Sequence, residues 1–208
     1  MRGHTLSELL IASSIGLFVL AGMVSMYAEL SGASRRLQAE TRLQQSLASA
    51  AAFVSGELRR AGYWSRARHT LEGGAVNGYA PLHLDGSDCV LYSYDRDRAS
   101  TDGRPREQDQ FGLRLSGGTL QVKTSDGACG ASTCTRCDSG VWLAVTDPRA
   151  LTVTALDFAA ERRERTLADG SSVVVRGVRY LLTGTSAGDA SLRHTLAGFV
   201  NVRNDEIR

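Results

Sequence analysis

The chain has 208 residues, a formal net charge of +2, 42% hydrophobic and 22% charged residues. So even a balance gives no bulk electrostatic case for nucleic acid as a partner. Four cysteines and Lys123 as the sole lysine mark a chain whose positive charge is almost all arginine. Once an N-terminal apolar segment is set aside, about 150–180 residues remain, enough for one domain with a modest core.

The first stretch, Gly3-His4-Thr5-Leu6-Ser7-Glu8, runs directly into an apolar segment from Leu9 to Tyr27, in which Ser13, Ser14 and Ser25 interrupt the hydrocarbon. At a rise of ~1.5 Å per residue this segment matches a bilayer core of ~30 Å. It is too long for the apolar core of a secretory signal peptide, and a helical pattern continues beyond it. A plain membrane anchor leaves Glu8 unexplained, because a carboxylate against hydrocarbon needs a partner.

These residues resemble the N-terminal signal of type IV prepilins: a short basic leader ending in glycine, a Thr-Leu-x-Glu-Leu motif, then a hydrophobic helix. The resemblance implies that a membrane peptidase cuts between Gly3 and His4 and methylates the new N-terminus of His4. It also implies that Glu8 acts in assembly. The cut creates an ammonium that Glu8 of a neighbouring subunit can neutralise when helices stack without water. The implied division is a leader at residues 1–3, a transmembrane or fibre-core helix at 4–29, and a periplasmic domain at 30–208.

Beyond Tyr27, Leu30, Ala33, Leu37, Leu43, Leu47, Ala51, Val54, Leu58 and Ala61 recur at helical steps, with no proline between His4 and Gly62. The pattern predicts one long helix, hydrophobic in its first half, amphipathic in its second, and ending near Gly62. From about residue 88 the chain becomes β-rich. Short runs at 89–94, 111–115, 119–122, 141–145, 151–154, 173–175, 178–182 and 194–202 are separated by Gly, Asp, Ser and Pro clusters. Leu115-Ser-Gly-Gly-Thr119 reads as a hairpin. The expected fold class is α+β, with an antiparallel sheet laid on the second half of the helix.

The strings Arg35-Arg36-Leu37-Gln38, Leu43-Gln44 and Glu57-Leu58-Arg59-Arg60-Ala61-Gly62-Tyr63-Trp64 are similar to those of PilW-type minor pilins. So are Cys89-Val-Leu-Tyr-Ser-Tyr-Asp95 and Phe199-Val-Asn-Val-Arg-Asn204. The resemblance implies a subunit that joins other minor pilins to prime a type IV pilus and ends near its tip. Implied partners are minor and major pilins, the prepilin peptidase, the inner-membrane assembly platform and, at the tip, an adhesin. The implied location is the inner membrane, crossed once, and later the fibre on the cell surface. Two rival readings are a J-type pseudopilin of type II secretion, which shares the anchor and the α+β plan, and a membrane-tethered periplasmic ligand-binding module.

All four cysteines, Cys89, Cys129, Cys134 and Cys137, follow the apolar segment. In an oxidising periplasm they predict two disulfides, with three pairings open. Local spacing favours Cys129–Cys134 or Cys134–Cys137, leaving Cys89 to staple a distant strand to this loop. A zinc site would need a second tightly spaced ligand pair, and the sequence has one.

Asp95, Asp97 and Asp102, with Gly103, are candidates for a calcium loop, and Glu107 and Asp109 extend the set. Arg96, Arg98, Arg104 and Arg106 oppose a cation, and the preferred reading is a solvated loop of mixed charge. The arginines at 35–36, 59–60, 66, 68 and 162–165 are read as solvated or subunit-contacting surface, and His69, His83 and His194 as ordinary polar residues. No nucleophile motif or phosphate-binding glycine loop stands out. A non-enzymatic role without cofactor is expected.

Overall fold

Helix formation without a proline break carries α1 from Leu6 to Leu58 as one element of 53 residues in the computed structural model, which describes residues 5–125, 134–166, 170, 172–203 and 206–207. The chain divides into two units, Met1–Thr41 and Arg42–Arg208. In the first, α1 is exposed on every face through its apolar stretch. The hydroxyls of Ser13, Ser14, Ser25 and Ser31 donate to the carbonyls of Leu10, Ile11, Gly22 and Ala28 at 2.9–3.0 Å. These hydroxyls are thereby satisfied within the helix itself.

In the second unit the rest of α1 buries Leu43, Leu47, Ala50, Val54 and Leu58, a stripe at three- and four-residue steps. The expected members Leu30 and Leu37 are exposed. The helix stops at Leu58 rather than near Gly62, because Arg60, Ala61 and Tyr63 close tighter i−3 turns. Gly62 then takes φ +79° and donates its N–H to the Ser93 carbonyl. A Cβ there would stand 2.8 Å from the Arg203 carbonyl, so the position requires glycine on two counts. A short helix, α2 (Arg68–Leu71), follows.

The strands form two antiparallel sheets where one was expected. The first is a meander of β1 (Leu82–Leu84), β2 (Cys89–Ser93), β3 (Gln110–Ser116), β4 (Thr119–Ser125) and β5 (Val141–Ala144), in chain order. The second contains β6 (Leu151–Thr166), β7 (Ser172–Ser186) and β8 (Asp189–Asn201), with β9 (Glu206–Ile207) also paired to β7. The hairpin read from Ser116-Gly-Gly-Thr119 is present: Ser116 pairs with Thr119 across two glycines at positive φ. The runs expected separately at 173–175 and 178–182 are one strand. Arg176 and Gly177 stay in register opposite Arg162 and Glu161, and the gap beside Gly177 receives the Phe199 ring.

α1 is tied to both sheets. The Tyr92 hydroxyl on β2 donates to Glu57 Oε2 at 3.1 Å. The Tyr180 hydroxyl on β7 lies 2.7 Å from Ser55 Oγ and donates to the Ala51 carbonyl. Its ring leaves so little room at Gly198 that a Cβ would come within 2.2 Å. All five residues of β2 are buried. Cys89 and Leu91 join Cys134, Cys137 and Trp142 in one cluster, while Tyr92 reaches the helix. The long helix and antiparallel sheets realise the expected α+β class.

Candidate functional site

Helix α1 begins in a reciprocal cap. The Thr5 N–H donates to Glu8 Oε2 at 2.9 Å, and the Glu8 N–H lies 3.4 Å from Thr5 Oγ1. This is a capping box, legible as Thr-x-x-Glu but not drawn from the sequence. It places the Glu8 carboxylate where unpaired backbone N–H groups favour negative charge. Gly3 and His4, the expected cleavage and methylation positions, lie outside the described residues.

Above the cap the helix surface is hydrocarbon. Large side chains from Leu9 to Tyr27 are exposed, Phe18 to 86%. Such a surface is long and apolar enough to cross a membrane. Its serines contribute no outward donor because each hydroxyl bonds back into the helix. What it offers is apolar area for lipid or for other apolar helices.

The cysteines supply covalent ties. Cys89 bonds to Cys137 across 48 residues, so Cys89 does staple its strand to the distal loop. Cys134 is also disulfide-bonded. With Cys137 committed to Cys89, the Cys134–Cys137 pairing is ruled out. Cys129 lies outside the described residues. No cysteine among the described residues is free. Backbone contacts hold the tie on both sides: the Cys137 N–H donates to Asp85 Oδ2 at 2.7 Å and its carbonyl accepts from Arg114 Nη1 at 2.7 Å. The Arg114 guanidinium lies 4.2 Å from the Trp142 ring, and the Cys134 N–H donates to Gln110 Oε1.

The acidic loop is partly internal, which corrects its reading as a solvated loop. Asp95 is 1% exposed. Its Oδ2 accepts from the Ser65 N–H at 3.1 Å and from Ser65 Oγ at 2.5 Å, and Oδ1 accepts from the Ser100 N–H. Asp97 accepts from the Ala99 N–H and the Gln108 amide, and Asp102 from the Arg104 N–H and Ser100 Oγ. The Arg104 N–H holds Asp102 below the usual carboxylate range. Trp64 closes the loop by donating from its indole to the Ser100 carbonyl. Among the described residues, no three His, Cys, Asp or Glu side chains converge to hold a metal ion. Asp109, named with Glu107 as an extension of the calcium set, is instead buried and accepts from the Tyr79 hydroxyl at 3.1 Å. It follows an Arg-Glu-Gln turn with no distinguishing spacing.

Three tyrosines around these ties carry a pH signature. Burial pushes the Tyr92 hydroxyl well above its ordinary range, and the Glu57 carboxylate adds to it; burial likewise raises Tyr79 and Tyr94. A group whose folded-state pKa is raised contributes stability that is fully present below its unfolded value, near 10, and is lost as pH climbs toward the folded value. Stability should therefore decline above about pH 10. Absorbance at the tyrosinate band should show these rings ionising together with loss of the native circular dichroism. Their titration at the ordinary value in a protein that stays folded would contradict the burial.

A family model described as prepilin peptidase-dependent protein B matches residues 36–202. Comparison with curated proteins and with solved structures gives no match. The matched span takes in the amphipathic half of α1, strands β1 to β8 and the Cys89–Cys137 tie. It begins after the capped, apolar end of the helix.

Proposed function

Because the chain belongs to the prepilin peptidase-dependent protein B family, we propose that this pilin-like protein is a PilW-type minor pilin that joins other minor pilins to prime a type IV pilus and enters the fibre at or near its tip. The observation that carries the reading is α1 itself: an apolar surface exposed on every face, with Glu8 fixed in the cap at its start. In this reading the peptidase cuts between Gly3 and His4, the His4 amine is methylated, and Glu8 compensates a neighbour's amine as helices stack. The apolar segment crosses the inner membrane once, with the disulfide-tied domain in the periplasm before assembly. Partners are major and minor pilins, the assembly platform and, at the tip, an adhesin. The role is structural rather than enzymatic.

Intact-mass and N-terminal analysis of protein expressed with and without a prepilin peptidase tests the processing step. The expected result is a chain that starts at methylated His4 only when the peptidase is present. A chain that still starts at Met1, beside a control prepilin that is cut, would overturn it. Deletion separates pilus from secretion roles: loss of twitching with intact exoprotein secretion is expected, and the reverse would assign the chain to a type II secretion pseudopilin.

A further inference from the structure

Where α1 ends, three segments far apart in sequence meet around a cleft of about 390 Å³ lined by Arg60, Tyr63, Tyr94, Asp95, Arg96, Arg98 and Arg203. Four arginines and one aspartate line it. That carboxylate is already spoken for, since both Asp95 oxygens accept hydrogen bonds from Ser65 or Ser100. Arg60 is paired with Glu57 at 2.9 Å. The guanidiniums of Arg96, Arg98 and Arg203 make no ion pair among the described residues, although all three are solvent-exposed. Like charges gathered in a concavity repel one another, so the arrangement favours an anion in their midst.

The cleft is also ordered. Arg60 lies over the Tyr94 ring and Arg203 over the Tyr63 ring, each 5.9 Å from the centroid. A ring beneath a planar guanidinium helps to orient it, and Arg60 is further held by Glu57. Arg98 takes φ +58°, the sole non-glycine residue at positive φ among the described residues. A side chain in that region is held at a cost by its surroundings. Behind it, Asp95 and Trp64 fix the loop from its buried side.

We infer that this cleft is an oxyanion-binding site for a phosphate group, gripped by Arg96, Arg98 and Arg203 and bordered by Tyr63 and Tyr94. A single carboxylate is satisfied by one bidentate arginine, whereas a phosphate offers more charge and three oxygens to several guanidiniums at once. The inference is independent of how the chain is processed or assembled.

The test is calorimetric titration of the full chain in a non-ionic detergent with inorganic phosphate, in a low-salt buffer at neutral pH. Saturable binding is expected, and Arg96→Gln with Arg98→Gln should weaken it at least about tenfold. Arg149→Gln, an exposed arginine elsewhere, should leave it unchanged, and thermal melts should show both variants folded. Glycerol phosphate distinguishes the sources: binding like that of free phosphate indicates a phosphate carried on a larger molecule, and failure to bind indicates the free ion. No saturable heat at millimolar phosphate, equal binding by the double variant, or acetate binding as tightly as phosphate would each overturn the site.

Discussion

Replacing Cys89 and Cys137 together with serine should lower the unfolding free energy by about 4 kcal/mol. The bridge closes a separation of 48 residues, and in the chain-entropy account releasing a loop of that size restores roughly this much freedom to the unfolded state. Both sulfurs also sit in a buried cluster with Leu91 and Trp142, so each serine would leave a polar hydroxyl among apolar neighbours. For a chain of this size the thermal midpoint should fall by roughly 8–16 °C. Melts of the full chain in detergent, oxidised and after reduction, check the result. A double variant melting with the parent would show that the sheet and helix contacts alone set the stability.

Leu47→Ala should cost about 2–5 kcal/mol. Leu47 is fully buried, where α1 meets β7; its Cδ1 lies 3.3 Å from where a Cβ on Gly184 would be, and Leu151 closes the same spot. The missing methylenes would leave a cavity that the paired strands β6 and β7 cannot collapse to fill. The same change at Leu37, on the same helix but 65% exposed, should shift stability by no more than about 0.5 kcal/mol. Denaturant titrations of the two variants compare identical chemistry at two depths. Equal losses would mean that the stripe from Leu43 to Leu58 does not carry the helix–sheet contact.

What could be read beforehand depended on short-range repeats. The apolar stripe of α1 and the turn at Gly117-Gly118 were legible because periodicity and positive φ are local demands. A staple from Cys89 to the distal loop was also legible, but not that Cys137 would be its partner, since three-dimensional proximity chose among chemically equal thiols. The strand ends were set by pairing: β6 continues through Glu161-Arg-Arg-Glu-Arg165 because β7 lies opposite to satisfy its backbone, whereas the β-rich run legible in the sequence stops at residue 154. Asp95 looked like surface because aspartate in a loop usually is; Ser65 and Ser100, which take it inside, are distant or unremarkable in sequence. The arginine cleft was hidden for the same reason, as Arg60 and Arg203 meet only after the chain has closed.

The serines of the apolar stretch have a mechanical consequence. Ser13, Ser14 and Ser25 each spend their hydroxyl on the preceding turn, so between Leu9 and Met26 this surface presents no side-chain donor by which a neighbour could fix the helix's rotation about its own axis. Shape and dispersion alone would set that angle, and such contacts change gradually as one cylinder turns or slides past another. In the proposed fibre, a bundle of these helices would yield to tension by small slips rather than by breaking bonds. Axial position in that fibre would then be marked at the charged end, at Glu8.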